Sequence, residues 1–178
     1  MKTTVIAVVI AASALSGCAT KIPDGSSTDG SSAMTPVAAV NQICEWKNET
    51  ERYARMPINP DRAKLEDLYA EVESSGNAYV DTLAIAVRNK AEKDPVLQEA
   101  QRKLGNKVTA LRDYAKPSGG SASFDWPTAI IQLGKAIFEM VVKMNQDSRD
   151  RFASDIKTTC RWKSFSDLTK PASNSPKS

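Results

Sequence analysis

Histidine is absent from all 178 residues, and that absence removes much chemistry at once. A Ser-His-Asp or Cys-His nucleophile pair, an imidazole acid or base and a His-containing zinc site are all excluded. Cysteine is scarce: there are three in the chain, and no two of them form the local CxxC pair used in redox and zinc motifs. Aromatic residues make up only 6% of the sequence. Past the first seventeen residues, no segment reaches the roughly eighteen uninterrupted apolar residues that a membrane-crossing helix needs. Charge of one sign is also missing, because basic and acidic residues are interleaved and leave no basic stripe suited to nucleic acid. No stretch alternates cleanly with period two between turn residues, so strand signals are weak throughout.

What is present begins at the amino end. Lys2 supplies a positive charge, Val5 to Ala14 form an apolar stretch, and Ser16 and Gly17 are small residues. That is a secretory signal in outline, with a hydrophobic segment too short to remain in a bilayer as a spanning helix. The quartet Leu15, Ser16, Gly17 and Cys18 that follows resembles the lipobox of bacterial lipoproteins. The resemblance implies that Cys18 is diacylated on sulfur, becomes the new amino terminus by cleavage, and is acylated there. Each buried methylene of an acyl chain contributes about 0.8 kcal/mol, and more than one chain turns marginal adsorption into stable anchoring. In Gram-negative lipoproteins the residue after the cysteine helps sorting, and Ala19 resembles an outer-membrane signal. The expected organisation is therefore a signal peptide over 1–17, a lipidated tether over 18–35, a helical domain over 36–165 and a disordered tail over 166–178.

The tether is rich in Gly, Ser, Thr and Asp and carries no apolar period. A flexible coil of about 17 residues has a root-mean-square span of roughly 20 to 25 Å, enough to hold a domain clear of headgroups. Without Lys2 the remaining chain carries 23 basic against 21 acidic groups. Its hydrophobic content of 41%, supplied mostly by Ala, Leu, Ile and Val, leans helical and globular. There is no internal repeat.

Four helices are predicted. The first runs from Pro36 to Arg55, with Thr35 as cap and Pro36 at the first helical position. The second starts after Asn59 with Pro60 at its head and continues to about Lys93, with an apolar stripe through Leu65, Leu68, Tyr69, Val72, Gly76, Tyr79, Leu83 and Val87 and a bend allowed at Gly76. Asp94 and Pro95 open the third, whose stripe is Leu97, Leu104, Val108 and Leu111. After the loop "KPSGGSAS" the fourth begins with Asp125 or Ser123 as cap and keeps a helical period from Ile130 to Cys160.

With Cys18 assigned to lipid, Cys44 and Cys160 remain. In an oxidising periplasm an isolated even pair reads as a disulfide, two free buried thiols being the alternative. Closing a loop of this length contributes about 5 kcal/mol in the chain-entropy description. In an up-down-up-down bundle the start of the first helix and the end of the fourth share one end. The bridge and the topology thus agree, and the fold class is an all-α four-helix domain stapled by Cys44 and Cys160.

Within the fourth helix, Gln132, Lys135, Glu139, Lys143 and Gln146 form one narrow polar stripe and nearly everything else is apolar. Such a helix is either the central core element or the presenter of a partner or ligand face, for which the candidates are Ile130, Ile137, Met140, Val141 and Met144. Trp46 and Trp162 each follow a cysteine by two positions and are expected to pack near the bridge; Trp46, Trp126 and Trp162 are otherwise a docking patch. Glu45, Glu49, Glu51, Glu66, Asp67, Glu71 and Glu73 interleave with Lys and Arg, as solvated faces do. No nucleophile motif or metal constellation accompanies them, so no catalytic residue, metal or cofactor is expected.

The function expected from these features is that of a lipid-anchored, noncatalytic envelope protein at the outer membrane, facing the periplasm. It would bind a protein partner as a pilot, scaffold or immunity-type adaptor, and its architecture is analogous to that of small helical lipoproteins that pilot secretins. The second hypothesis is a periplasmic carrier holding an apolar ligand or lipid between helices.

Overall fold

The computed structural model describes residues 33–56, 61–115 and 124–170, and the expected signal peptide, Cys18 and most of the tether lie outside them, as do 171–178. Six helices follow in order: α1 (Pro36–Ala54), α2 (Arg62–Asn89), α3 (Pro95–Ala115), α4 (Trp126–Val141), α5 (Gln146–Thr159) and α6 (Phe165–Thr169). The described part is all-α.

Local chemistry sets most boundaries. The Thr35 hydroxyl accepts the Ala38 N–H at 3.2 Å and Pro36 follows it, so α1 starts where its first orphan donors are satisfied. Asp61 caps α2 by accepting the Lys64 N–H at 3.0 Å, and Asp125 caps α4 through Thr128 at 3.2 Å. Both the Thr128 hydroxyl and its N–H bond the Asp125 carboxylate and hold it below the usual carboxylate range. At the end of α2, Lys90 takes the left-handed conformation at φ 53° that usually falls to glycine or asparagine. Its ammonium reaches the Val142 carbonyl at 3.4 Å, where α4 ends and exposed carbonyls favour a cation.

Consecutive helices alternate in direction. Tyr114 donates to the Asp61 carbonyl and Lys107 pairs with Glu71, so α3 runs back along α2. Gly105 lies against Pro127 and Gly134 against Gln101, so α4 runs back along α3. Arg149 donates to the Arg88 carbonyl and Lys157 pairs with Asp81, which sets α5 antiparallel to α2. Helix α1 touches all the others, and the core gathers between them, with Ile43, Tyr69, Tyr79, Leu83, Leu104, Ile137, Phe152 and Ile156 sealed from solvent. The Cys44–Cys160 disulfide joins α1 to the end of α5 across 4.9 Å between Cα atoms.

Three sequence expectations need correction. The predicted fourth helix is two, because Asn145 leaves helical geometry and its side chain accepts the Ser148 N–H at 2.8 Å, starting α5 afresh. Splitting there lets α4 pack on α3 while α5 packs on α2. Arg149 stabilises the corner from inside: it is 9% exposed and donates to the Met144 carbonyl at 2.7 Å as well as to Arg88. The predicted tail is the second case. Residues 166–169 belong to α6, capped by Ser164 and anchored by buried Phe165 and Leu168, so the ordered domain extends to Lys170. Helix α2 also starts at Arg62 and ends at Asn89, inside the expected bounds, and it is continuous through Gly76.

Candidate interaction site

Ile130, Ile137 and Val141 are 1%, 0% and 0% exposed, and Met140 and Met144 are half-buried against the same core. The apolar side of α4 therefore fills the domain centre, and a partner meeting the folded surface does not reach it. The outer side of α4 keeps Ile131 and, one residue beyond its end, Val142 exposed.

The three tryptophans fall in two places. Trp46 sits edge-on to Trp126 with centroids 6.1 Å apart, and Phe124 meets Trp126 at 4.7 Å, so α1 and the start of α4 are joined by a stack of perpendicular rings. The indole N–H of Trp126 is buried without a conventional acceptor, as is the Tyr79 hydroxyl. Trp162 lies elsewhere, 5% exposed, in a slot on α1 and α2.

That slot is the most organised polar site of the described residues. Past Cys160 the chain leaves the helix and runs as an irregular strap, 161–164, before α6. Gly76 opens the slot: a Cβ there would stand 2.5 Å from the Trp162 ring. Thr50 accepts the indole N–H at 2.7 Å. Asn77 reads the Trp162 main chain in both directions, its amide oxygen accepting the N–H at 3.0 Å and its amide nitrogen donating to the carbonyl at 3.4 Å. Glu51 accepts the Lys163 N–H at 3.3 Å, and the Tyr69 hydroxyl donates to the Lys163 carbonyl at 2.8 Å. All main-chain donors and acceptors of Trp162 and Lys163 are thus bonded by side chains of α1 and α2.

Glu51 is 5% exposed and faces Lys47 at 3.3 Å and Arg55 at 3.9 Å, which compensate its buried charge. Burial, then the Glu51 and Glu73 carboxylates, push the Tyr69 hydroxyl far above its ordinary value, so it stays a donor. Glu73 itself is raised by burial and by Asp167. At the rim, Arg161 pairs with Asp81 at 2.8 Å, Phe165 tilts against Tyr69 with centroids 6.0 Å apart, and the Arg62 guanidinium lies 5.6 Å over the Phe165 ring.

Of the carboxylates singled out in the sequence, Glu49 pairs with Arg52 at 2.7 Å and Glu71 with Lys107 at 2.8 Å, on the surface. Glu66 and Asp67 are exposed, and Glu51 alone of the set is buried. Among the described residues no cluster of three or more His, Cys, Asp or Glu side chains is placed to hold a metal, and no helix is long and apolar enough to cross a membrane. A shallow hollow at Lys90, Ala91, Glu92, Lys93 and Asp94 is one turn of consecutive residues.

Sequence reasoning missed Thr50, Gly76, Asn77 and Tyr69 as a set. One signal was present: a threonine and a glycine stand where the helical period calls for large apolar residues. Comparison with protein-family models, curated proteins and solved structures finds no match to this chain.

Proposed function

We propose that the chain is a lipid-anchored envelope protein of the outer membrane, held on the periplasmic side by acyl groups on Cys18, whose helical domain binds another protein without catalysing a reaction. The observation that carries the reading is the quartet Leu15 to Cys18 directly behind a charged, apolar leader. A bridge between Cys44 and Cys160 supports it, since such bonds persist in oxidising compartments. The organised polar side chains add support of another kind: Thr50, Glu51, Asn77 and Arg149 are engaged with main-chain or indole groups, a scaffold's use of polarity. The dense packing of Ile130, Ile137 and Val141 favours a protein-binding surface over an internal carrier cavity.

Anchoring would act by effective concentration, confining the domain near a membrane partner. In-cell crosslinking of the wild type and of Cys18→Ser tests this. Capture of the partner is expected to fall about tenfold or more when the anchor is lost. A partner list and yield unchanged by the substitution would reject tethering, and intact-mass analysis showing an unacylated wild type would reject the anchor itself.

A further inference from the structure

The strap 161–164, with α6 behind it, is bound to the domain in the way a ligand is bound. A helix in a bundle satisfies its own main chain and offers side chains to its neighbours; here the relation is inverted. Trp162 and Lys163 have no helical main-chain bonding, and side chains of α1 and α2 supply it: Asn77 on both sides of Trp162, Glu51 and Tyr69 on the two sides of Lys163. Bonding an extended main chain in this way supplies affinity, while a side-chain slot supplies selectivity. The slot is present too, made by Gly76 and floored by the Thr50 hydroxyl, which accepts the indole N–H. Asp81 at the rim takes the preceding Arg161.

Release of this strap breaks none of α1 to α5. The disulfide lies before it in the chain, at Cys160, so α5 remains clamped to α1 whether or not Trp162 is seated. An emptied groove leaves the Thr50 hydroxyl without the indole N–H, Glu51 without the Lys163 N–H and Asn77 without both of its main-chain partners, and a buried polar group that loses a partner is unfavourable. A segment offering the same groups would meet them again.

We propose that the α1–α2 groove is a recognition site for an extended peptide segment carrying a basic residue followed by tryptophan, and that the chain's own residues 161–169 occupy it in cis as a competing pseudo-ligand. The proposal rests on the protein-binding reading above and names the kind of partner segment that reading would involve. Exchange of the strap for a partner's segment is then the event that couples binding to a change in the domain.

The test uses the full chain. In Trp162→Ala the slot is emptied while the disulfide still holds the root of the strap. A synthetic peptide of residues 161–169 is titrated into this variant and into the wild type by calorimetry. Saturable binding to Trp162→Ala is expected, with binding to the wild type weakened at least about tenfold by the seated strap. Adding Asn77→Ala, which removes both main-chain bonds to the tryptophan, should weaken binding to the emptied groove by about tenfold. A helical Trp162→Ala protein that ignores the peptide overturns the proposal.

If that variant does not fold, hydrogen exchange of the wild type decides. Amides of 162–168 opening separately from those of α2 support a releasable strap. Their exchange only together with α2 overturns it. Loss of the groove by either route leaves the anchored-adaptor reading standing if crosslinking still finds a Cys18-dependent partner, so the two failures are distinguishable.

Discussion

Gly76 and Gly134 are both helical glycines with another side chain pressed against them, yet alanine is expected to act differently at the two. A Cβ on Gly76 would meet the Trp162 ring system at 2.5 Å, and that ring is fixed by Thr50 and Asn77. A Cβ on Gly134 would meet only the terminal amide of Gln101, the far end of a side chain that can swing away. Gly76→Ala should therefore destabilise the domain by about 2–3 kcal/mol through overpacking. At Gly134 the helical gain of alanine, about 1 kcal/mol, offsets the displaced amide, and the variant should stay within about 1 kcal/mol of wild type. Urea unfolding of the two variants checks the contrast; equal losses would mean the indole slot is softer than its hydrogen bonds imply. The tyrosines make a second prediction at this scale. Burial holds the Tyr53, Tyr69 and Tyr79 hydroxyls well above their ordinary value of 10.0, assisted by Glu49 at Tyr53 and by Glu51 at Tyr69. Because the folded state favours the protonated form, the stabilisation is fully present below that value and is lost as pH climbs from about 10 toward the folded values. Ultraviolet titration of phenolate should thus show a higher midpoint in the native protein than in urea, with stability falling above about pH 10.

At the scale of elements, the corner between α4 and α5 is where local signal and tertiary demand meet. The sequence Asn145-Gln146-Asp147-Ser148 contains a cap and an acidic first turn, a legible helix start that the uninterrupted apolar period across it obscured. Asn145→Ala should cost about 1 kcal/mol by leaving the Ser148 N–H without its acceptor. Arg149→Met should cost about 2–3 kcal/mol, because a buried cation that satisfies carbonyls from both α2 and the corner is removed. Both effects are read from thermal melts followed by circular dichroism. A melting temperature unchanged in Arg149→Met would show that water replaces the guanidinium without penalty. Helix α6 follows the same rule in miniature: Ser164 caps it and Lys170 and Ser164 hold Asp167 below the usual carboxylate range, but five residues do not sustain a helix unaided. Phe165 and Leu168 keep it in place by packing against the domain.

For the whole molecule, the bridge closes a loop with a sequence separation of 116 residues. The chain-entropy description gives it about 5 kcal/mol, comparable with the whole stability of a small domain, about 5–15 kcal/mol. The protein is expected to be folded and robust when oxidised and close to its stability limit when reduced. Urea unfolding with and without a dithiol reductant measures the difference, and coincident midpoints would show that the helices alone hold the domain. The disulfide and the strap address different regions of the free-energy surface. One restrains the unfolded chain, whereas the other is a set of short-range contacts made only in the native state.

The all-α class, the caps at Thr35, Asp94 and Asp125, and the pairing of Cys44 with Cys160 could be read in the sequence. Caps and helical period act over three or four residues, and with Cys18 set aside by its resemblance to a lipobox cysteine, the two cysteines that remain allow a single intramolecular pairing. Only the tertiary structure decided that the last long apolar stripe would be divided between α3 and α2, that Gly76 would serve as a slot and not a bend, and that Trp162 would bond Thr50 and Asn77. Those outcomes depend on partners 112 and 85 positions away. Nothing in the local sequence of a threonine or a glycine records what will be packed against it, because that is settled by which surfaces the other helices leave open.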